Sequence, residues 1–272
     1  MAFANTLSTS WQIFKTSARV LGSRKELAVF PILSGVSSLL VLIGMVALGV
    51  VLLPATTGDS VPPLFYPVFA VGYFVLTYVV TFWQAALISQ ANIALEGGDP
   101  SVASGISAAA QRGGRLLPWV LITGVVSWII SAIEDRVPFI GRFLEVAWRV
   151  VSFQVLPTIV LENLGAIDAV KKTKETLKNA WGQNVVGVVG LNFFTAMLSL
   201  PGIGLIYLGM ATNMAAVTAG FAALGGLWIL VASIIGAALT GIFQTALYRF
   251  TVDGQVPGPF AGVDLRQALK TR

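Results

Sequence analysis

Long apolar runs alternate along the chain with short segments in which the charged residues gather. A helix crosses a hydrocarbon layer of about 30 Å with about 17–25 mostly apolar residues. The runs at 29–53, 66–92, 116–133, 143–161, 184–209 and 224–250 meet that requirement. They predict an all-α, polytopic membrane helix bundle of six spans in a single integral membrane domain, 1–272. The stretch from Val185 to Phe250 carries no charge before Arg249 and is too long for one crossing. It reads either as two spans, with 211–223 an outer loop or shallow interfacial segment, or as three shorter crossings.

Charge placement selects between them. With the N-terminus inside and six spans, fourteen of the seventeen Lys and Arg residues fall in cytoplasmic segments. A seventh span would carry the C-terminal cations outside, against the positive-inside rule. Both termini are therefore expected in the cytoplasm, with the chain in a prokaryotic plasma (inner) membrane. Arg24 and Lys25 precede an apolar run about twice the length of a signal-peptide core, so this run is expected to stay as the first span.

The cytoplasmic connections resemble one another. Amphipathic helices are expected at about 6–22, 100–112, 166–181 and 263–270. In the first, Leu7, Trp11, Phe14, Ala18 and Leu21 recur at helical spacing with Lys15 and Arg19 off the stripe. The second follows Asp99-Pro100, read as its cap, and offers Val102, Ile106 and Ala109. The third carries Ile167, Val170, Leu177 and Trp181 on one side and Lys171, Lys172, Lys174 and Lys178 on the other. The even spans also end alike. Phe82-Trp83-Gln84-Ala85-Ala86-Leu87 parallels Ile242-Phe243-Gln244-Thr245-Ala246-Leu247, and Phe153-Gln154 holds the same place in span four. Leu95-Glu96-Gly97, Leu161-Glu162 and Val252-Asp253-Gly254 follow. The expected architecture is three hairpins, each preceded by a cytoplasmic amphipathic helix.

Composition sharpens this picture by exclusion. Apolar residues make up 56% of the chain and charged ones only 11%, against about 25% charged in soluble domains. A lipid-facing surface accommodates that balance. The absence of Cys and His removes disulfides, thiolate chemistry and His-ligated metals. No cofactor is expected, and no basic patch interleaved with aromatics suggests nucleic acid.

Few polar residues lie within the spans. Glu145 and Arg149, four apart on one helical face, are candidate pathway contacts toward an internal cavity, or else an interfacial ion pair; Arg142 lies nearby. Gln84, Gln154 and Gln244 could form an interhelical amide cluster or a permeation constriction. Lys15, Arg19, Lys171, Lys172, Lys174 and Lys178 are candidate lipid-headgroup contacts. Glu96, Glu162 and Asp253 are the only carboxylates that suggest catalysis, and they serve equally as rim residues pairing with nearby cations. Pro157 and Pro201 are expected to bend their spans. Ala232, Gly236 and Thr240 are expected to let helices approach closely.

Ser10-Trp11-x-x-Phe14-Lys15-x-Ser17, then Arg24-Lys25-Glu26-Leu27-x-x-Phe30-Pro31-x-Leu33-Ser34-Gly35, and finally Ala246-Leu247-Tyr248-Arg249 carry a resemblance. The chain is similar to a prokaryotic family of uncharacterised multi-pass membrane proteins. More distantly it resembles the membrane domain beside some glycerophosphodiester phosphodiesterases, without their catalytic domain. The resemblance implies a membrane location and supplies no activity or site residues. The resulting expectation is a non-enzymatic scaffold, accessory subunit of a membrane complex or lipid-organising protein. Its partners would be the bilayer, anionic lipids, and a membrane protein or further copies of itself. A small-molecule or ion transporter or channel is the alternative.

Overall fold

The computed structural model describes residues 2–52, 63, 65–177, 181–212, 214–252, 254 and 256–262, with the side chains of 2–10, 52, 176–177 and 181–192 outside that description. The fold is all-α. Among the described residues the order is α1 (Ala2–Ser23), α2 (Val29–Leu52), α3 (Phe65–Leu95), α4 (Val102–Gln111), α5 (Gly113–Glu134), α6 (Pro138–Glu162), α7 (Ala166–Leu177), α8 (Trp181–Ala211) and α9 (Ala215–Val252). Six segments are long and apolar enough to cross a membrane: Lys25–Val51, Phe65–Leu95, Gly113–Glu134, Pro138–Glu162, Phe193–Ala211 and Ala215–Val252. This marks a membrane protein. Large apolar side chains stand exposed along them, Leu40, Val51 and Leu208 among others, as lipid-facing surfaces require. The expected helix at 263–270 lies outside the described residues.

The helices group into two compact units, one of Met1–Pro31, Ala91–Pro100 and Thr176–Arg272, the other of Ile32–Gln90 and Ser101–Glu175. In the first unit α8 runs along α9, and α1 packs on both. The short turn Lys25–Ala28 joins α1 to α2 and buries Leu27 completely, as Phe30 is buried one turn later. These are the apolar anchors of the Arg24–Pro31 stretch. In the second unit α5 runs along α6.

Burial is uneven along three of the long helices. In α3 it concentrates over 85–91, in α6 over 153–160 and in α9 over 241–248, while the N-terminal part of each helix is mostly exposed. Each of these helices also stops in the same way. Positive φ among the described residues occurs at Gly97 (84°), Asn163 (59°) and Gly254 (67°), just past α3, α6 and α9. A left-handed residue satisfies the last orphan carbonyls of a helix, and Gly or Asn takes that conformation at least cost. After α3 the closure is complete: Gly97 N–H donates to Ala94 O (3.1 Å) and Gly98 N–H to Ile93 O (2.9 Å).

Three expectations are corrected. First, 215–223 is helix and no loop, since α9 begins at Ala215 rather than near 224. Packing against α8 explains the helix. Gly209 leaves room for Phe221, and the Thr218 hydroxyl donates to Gly209 O at 2.8 Å. Second, Asp99-Pro100 does not cap α4. Ser101 does, from an extended conformation, its hydroxyl accepting from Ser104 N–H at 3.1 Å. Third, the buried faces of the short helices match the expected apolar stripes only in part: Ala109 of the α4 stripe is buried, whereas Trp11, Ile106 and Ile167 are not, and the side chains of Leu7, Leu177 and Trp181 lie outside the described residues. Ile13, Thr16, Ser17 and Val20 are buried in α1, Gly105 and Ala109 in α4, and Ala166, Ala169 and Thr173 in α7. Trp11, Ile106 and Ile167 stay 50%, 37% and 63% exposed. Small side chains let helix axes approach closely, so dispersion contacts favour them at the seam.

The helix assignment continues through Pro157 and Pro201. Beside Pro201, Gly202 and Gly225 face each other at the α8–α9 contact. A Cβ on Gly202 would lie 2.7 Å from Gly225 O, and one on Gly225 2.5 Å from Gly202 O. Gly225→Val is therefore expected to lower the detergent melting temperature, with an overpacking cost of about 1–3 kcal/mol. Gly226→Ala, where a Cβ meets nothing within 4 Å, is expected to leave it unchanged.

Candidate functional site

Polar groups gather where α3, α6 and α9 end. In the first unit, Arg249 occupies the last turn of α9, where a cation complements the helix dipole. Its Nε donates to Asn92 Oδ1 at 2.7 Å and its Nη2 to Glu96 Oε1. The Arg249 side chain is only 19% exposed, so this fork is screened less than a surface pair. Arg24 Nη1 donates to Asp99 Oδ1 at 2.6 Å, in a pair whose carboxylate is 90% exposed. Asp99, expected to cap a helix, is thus drawn to Arg24 instead.

In the second unit two glutamine amides are buried, Gln154 and Gln90, and sequence reasoning passed over Gln90. Its Oε1 accepts from Ser101 N–H and from the Ser104 hydroxyl, both at 2.8 Å. It therefore ties the end of α3 to the first turn of α4. Arg112, between α4 and α5, donates from Nε to Val160 O at 2.5 Å and from Nη1 to Ala108 O at 2.9 Å. Val160 lies in the last turn of α6, where carbonyls lack helical donors. Glu162 pairs with Lys172 of α7, and the Thr158 and Thr173 hydroxyls meet at 3.5 Å. The signal for Gln90 was its place seven residues before Gly97, in the last two turns of a span, where a long amide reaches the next helix.

The expected site residues scatter over these elements. Glu145 and Arg149 pair at 2.6 Å on α6, about half-exposed, so they form an ion pair on a helix face. Arg142 turns to Glu134 (3.6 Å) across the turn from α5. Gln84 is half-buried on α3, Gln154 buried on α6 and Gln244 buried on α9. Gln84 and Gln154 belong to one unit and Gln244 to the other. Lys15, Arg19, Lys171 and Lys174 are exposed; Lys172 is engaged with Glu162. Lys178 and Asp253 lie outside the described residues. Glu96 and Glu162 are each held by a cation, Arg249 and Lys172 respectively. No group of three or more His, Cys, Asp or Glu that could hold a metal ion occurs among the described residues.

Removing Arg249 would strand Asn92 and Glu96 together. Arg249→Ala is expected to cost about 1.5–3 kcal/mol, as for hydrogen bonds to a charged group. Arg249→Lys should recover only part of that, because an ammonium lacks the planar fork. Thermal unfolding of the two variants in one detergent measures both. Equal stability of wild type and Arg249→Ala would refute the assignment.

No curated protein and no solved structure matches the chain. The family of unknown function DUF6159 matches residues 63–258. The match takes in Ala246-Leu247-Tyr248-Arg249 and lies beyond the N-terminal stretch, 10–35, that carries the rest of the sequence resemblance. It contains the ends of α3, α6 and α9 with their caps, and with Gln90, Arg112 and Arg249. The chain belongs to the family of unknown function DUF6159.

Proposed function

We propose that this protein is a non-enzymatic, lipid-organising membrane scaffold built from three hairpins, each introduced by an amphipathic helix at the cytoplasmic surface. One observation carries the reading. Each of the short helices turns a bulky apolar side chain outward, Trp11, Ile106 and Ile167, and in α1 and α7 that side chain stands beside exposed cations. In α1, Trp11 is accompanied by Lys15 and Arg19; in α7, Ile167 is flanked by Lys171 and Lys174. An apolar anchor between cations matches the boundary between acyl chains and anionic headgroups. The matching left-handed stops after α3, α6 and α9 support the threefold repeat, because each turns the chain from a span into the segment that follows. The cationic ends support cytoplasmic termini in a prokaryotic inner membrane.

The charged groups at the helix ends are mostly spent on one another, in the Arg249–Glu96, Lys172–Glu162 and Arg24–Asp99 pairs. That economy favours a structural rim over a catalytic one. A transporter reading draws its support from the proline-interrupted α6 and α8 and from the charge pair at Glu145 and Arg149.

Each exposed cation near an anionic leaflet contributes about 1 kcal/mol. A variant with Lys15, Arg19, Lys171 and Lys174 all changed to Gln is expected to lose its preference for phosphatidylglycerol over phosphatidylcholine. Native mass spectrometry of protein released from mixed-lipid nanodiscs reads this directly, and an unchanged preference would sink the proposal. In proteoliposomes, Glu145→Gln should leave ion and solute leakage at the wild-type level; specific flux abolished by this change would favour the transporter.

A further inference from the structure

The two halves of α6 have opposite surroundings. From Phe153 to Val160 every residue is buried. Before Val150, one face reads Phe139, Arg142, Phe143, Val146 and Arg149, at the three- and four-residue steps of a helix face, with Glu145 beside it. All six residues are exposed. Phe139 is 84%, Phe143 67% and Val146 52% exposed, and the Arg149 and Glu145 side chains 59% and 48%.

Neither lipid nor water suits such a face. At 1.5 Å per residue, Arg149 lies about 16 Å along the axis from Pro138 and about 20 Å from Glu162. If α6 crosses the bilayer, as its length and composition allow, the guanidinium stands near mid-depth. An ionisable group there is costly unless it turns toward protein or water and pairs. The Glu145 contact occupies one nitrogen of the Arg149 fork, and a guanidinium has five N–H donors to satisfy. If the face stood in water instead, two phenylalanines and a valine would be stranded on it. A protein surface with the same mixture relieves both problems.

The chain carries such a surface in this face itself. The order along it is cation, anion, cation: Arg142, Glu145, Arg149. Two copies related by a twofold axis along the membrane normal present equal depths to each other. Glu145 of each then falls within about one helical turn of Arg142 and Arg149 of the other copy. Phe139, Phe143 and Val146 stack at matching levels. We propose that the N-terminal half of α6 is a self-association interface, and that the occupant of this face is a second copy of the same chain. Unlike charges offset by three and four residues, Glu145 toward Arg142 and Arg149 of the other copy, set the pairing, and Phe139, Phe143 and Val146 supply the packing.

The chain contains no cysteine, so a single introduced thiol reports without background. Phe143→Cys and Val146→Cys, oxidised in native membranes, are expected to give a covalent dimer at twice the monomer mass. Val51→Cys and Leu208→Cys, at equally exposed positions on other helices, are expected to stay monomeric. Added to Val146→Cys, Arg149→Glu should reduce the dimer about tenfold, the equivalent of 1.4 kcal/mol. The double exchange Glu145→Arg with Arg149→Glu should recover part of it, through the 145–149 pairing, while the pairing to Arg142 stays lost. Since Val146→Cys alone tests the contact, a variant that fails to fold leaves the result intact. Dimer yields at 143 and 146 no higher than at 51 and 208 would overturn the proposal. So would adducts of any mass other than the dimer's, which would assign the face to a different protein.

Discussion

Hydrocarbon offers no hydrogen bonds, so a chain that crosses it must satisfy its backbone internally and resolve every unpaired group where a helix stops. That constraint arranges most of the polar chemistry of this protein. After α3 two backbone donors return to the last turn through the left-handed Gly97. At the end of α6, Arg112 supplies a donor to Val160 O. At the start of α4, the Gln90 amide and the Ser101 hydroxyl take the N–H groups that the first turn leaves open. Charged side chains follow, since Arg249, Lys172 and Arg24 pair with acids at or just past the ends of spans. A scarce set of ionisable residues is thereby concentrated at termini, and long stretches between them stay free of charge.

The small helices show how packing and lipid compete for the same residues. An apolar stripe on a helix beside a soluble core turns inward because water surrounds everything else. Beside a bilayer the outward direction is also apolar. The inward face can then be chosen by fit, and Ser17, Thr16, Gly105, Ala109, Ala169 and Thr173 fit closely. Trp11 and Ile167 lose little by remaining outside. The same reasoning covers α8 and α9, whose contact at Gly202 and Gly225 brings backbone against backbone.

This is why the sequence was readable in some respects and opaque in others. Span number and helical class follow from apolar length alone, which neither packing nor partners alter. The segments read from the sequence only as a repeat, Leu95-Glu96-Gly97, Leu161-Glu162 and Val252-Asp253-Gly254, lie at or beside the left-handed residues Gly97, Asn163 and Gly254. Trp11, Ile106 and Ile167 were misread as inward because periodicity identifies an apolar stripe but not which of two apolar surroundings receives it. The region 215–223 was misread because Ala, Gly and Thr weaken a hydropathy signal while improving a helix–helix contact. Asp99 looked like a cap from its neighbour Pro100, yet Arg24, 75 positions away in the chain, holds it at 2.6 Å. Pairings of that separation leave no local trace.

Among the described residues α9 runs for 38, about 57 Å at 1.5 Å per residue, against a hydrocarbon thickness of about 30 Å. Tilting even to about 40°, the steep end of the observed range, would still leave roughly 14 Å of helix beyond the hydrocarbon. Hydrocarbon and headgroups together measure about 40–45 Å, so rigid secondary structure fills the headgroup layer at that tilt and projects past it at the average tilt of about 20°. A protease, an antibody or a soluble binding domain would meet there a preformed stalk, with no unfolding needed to reach it.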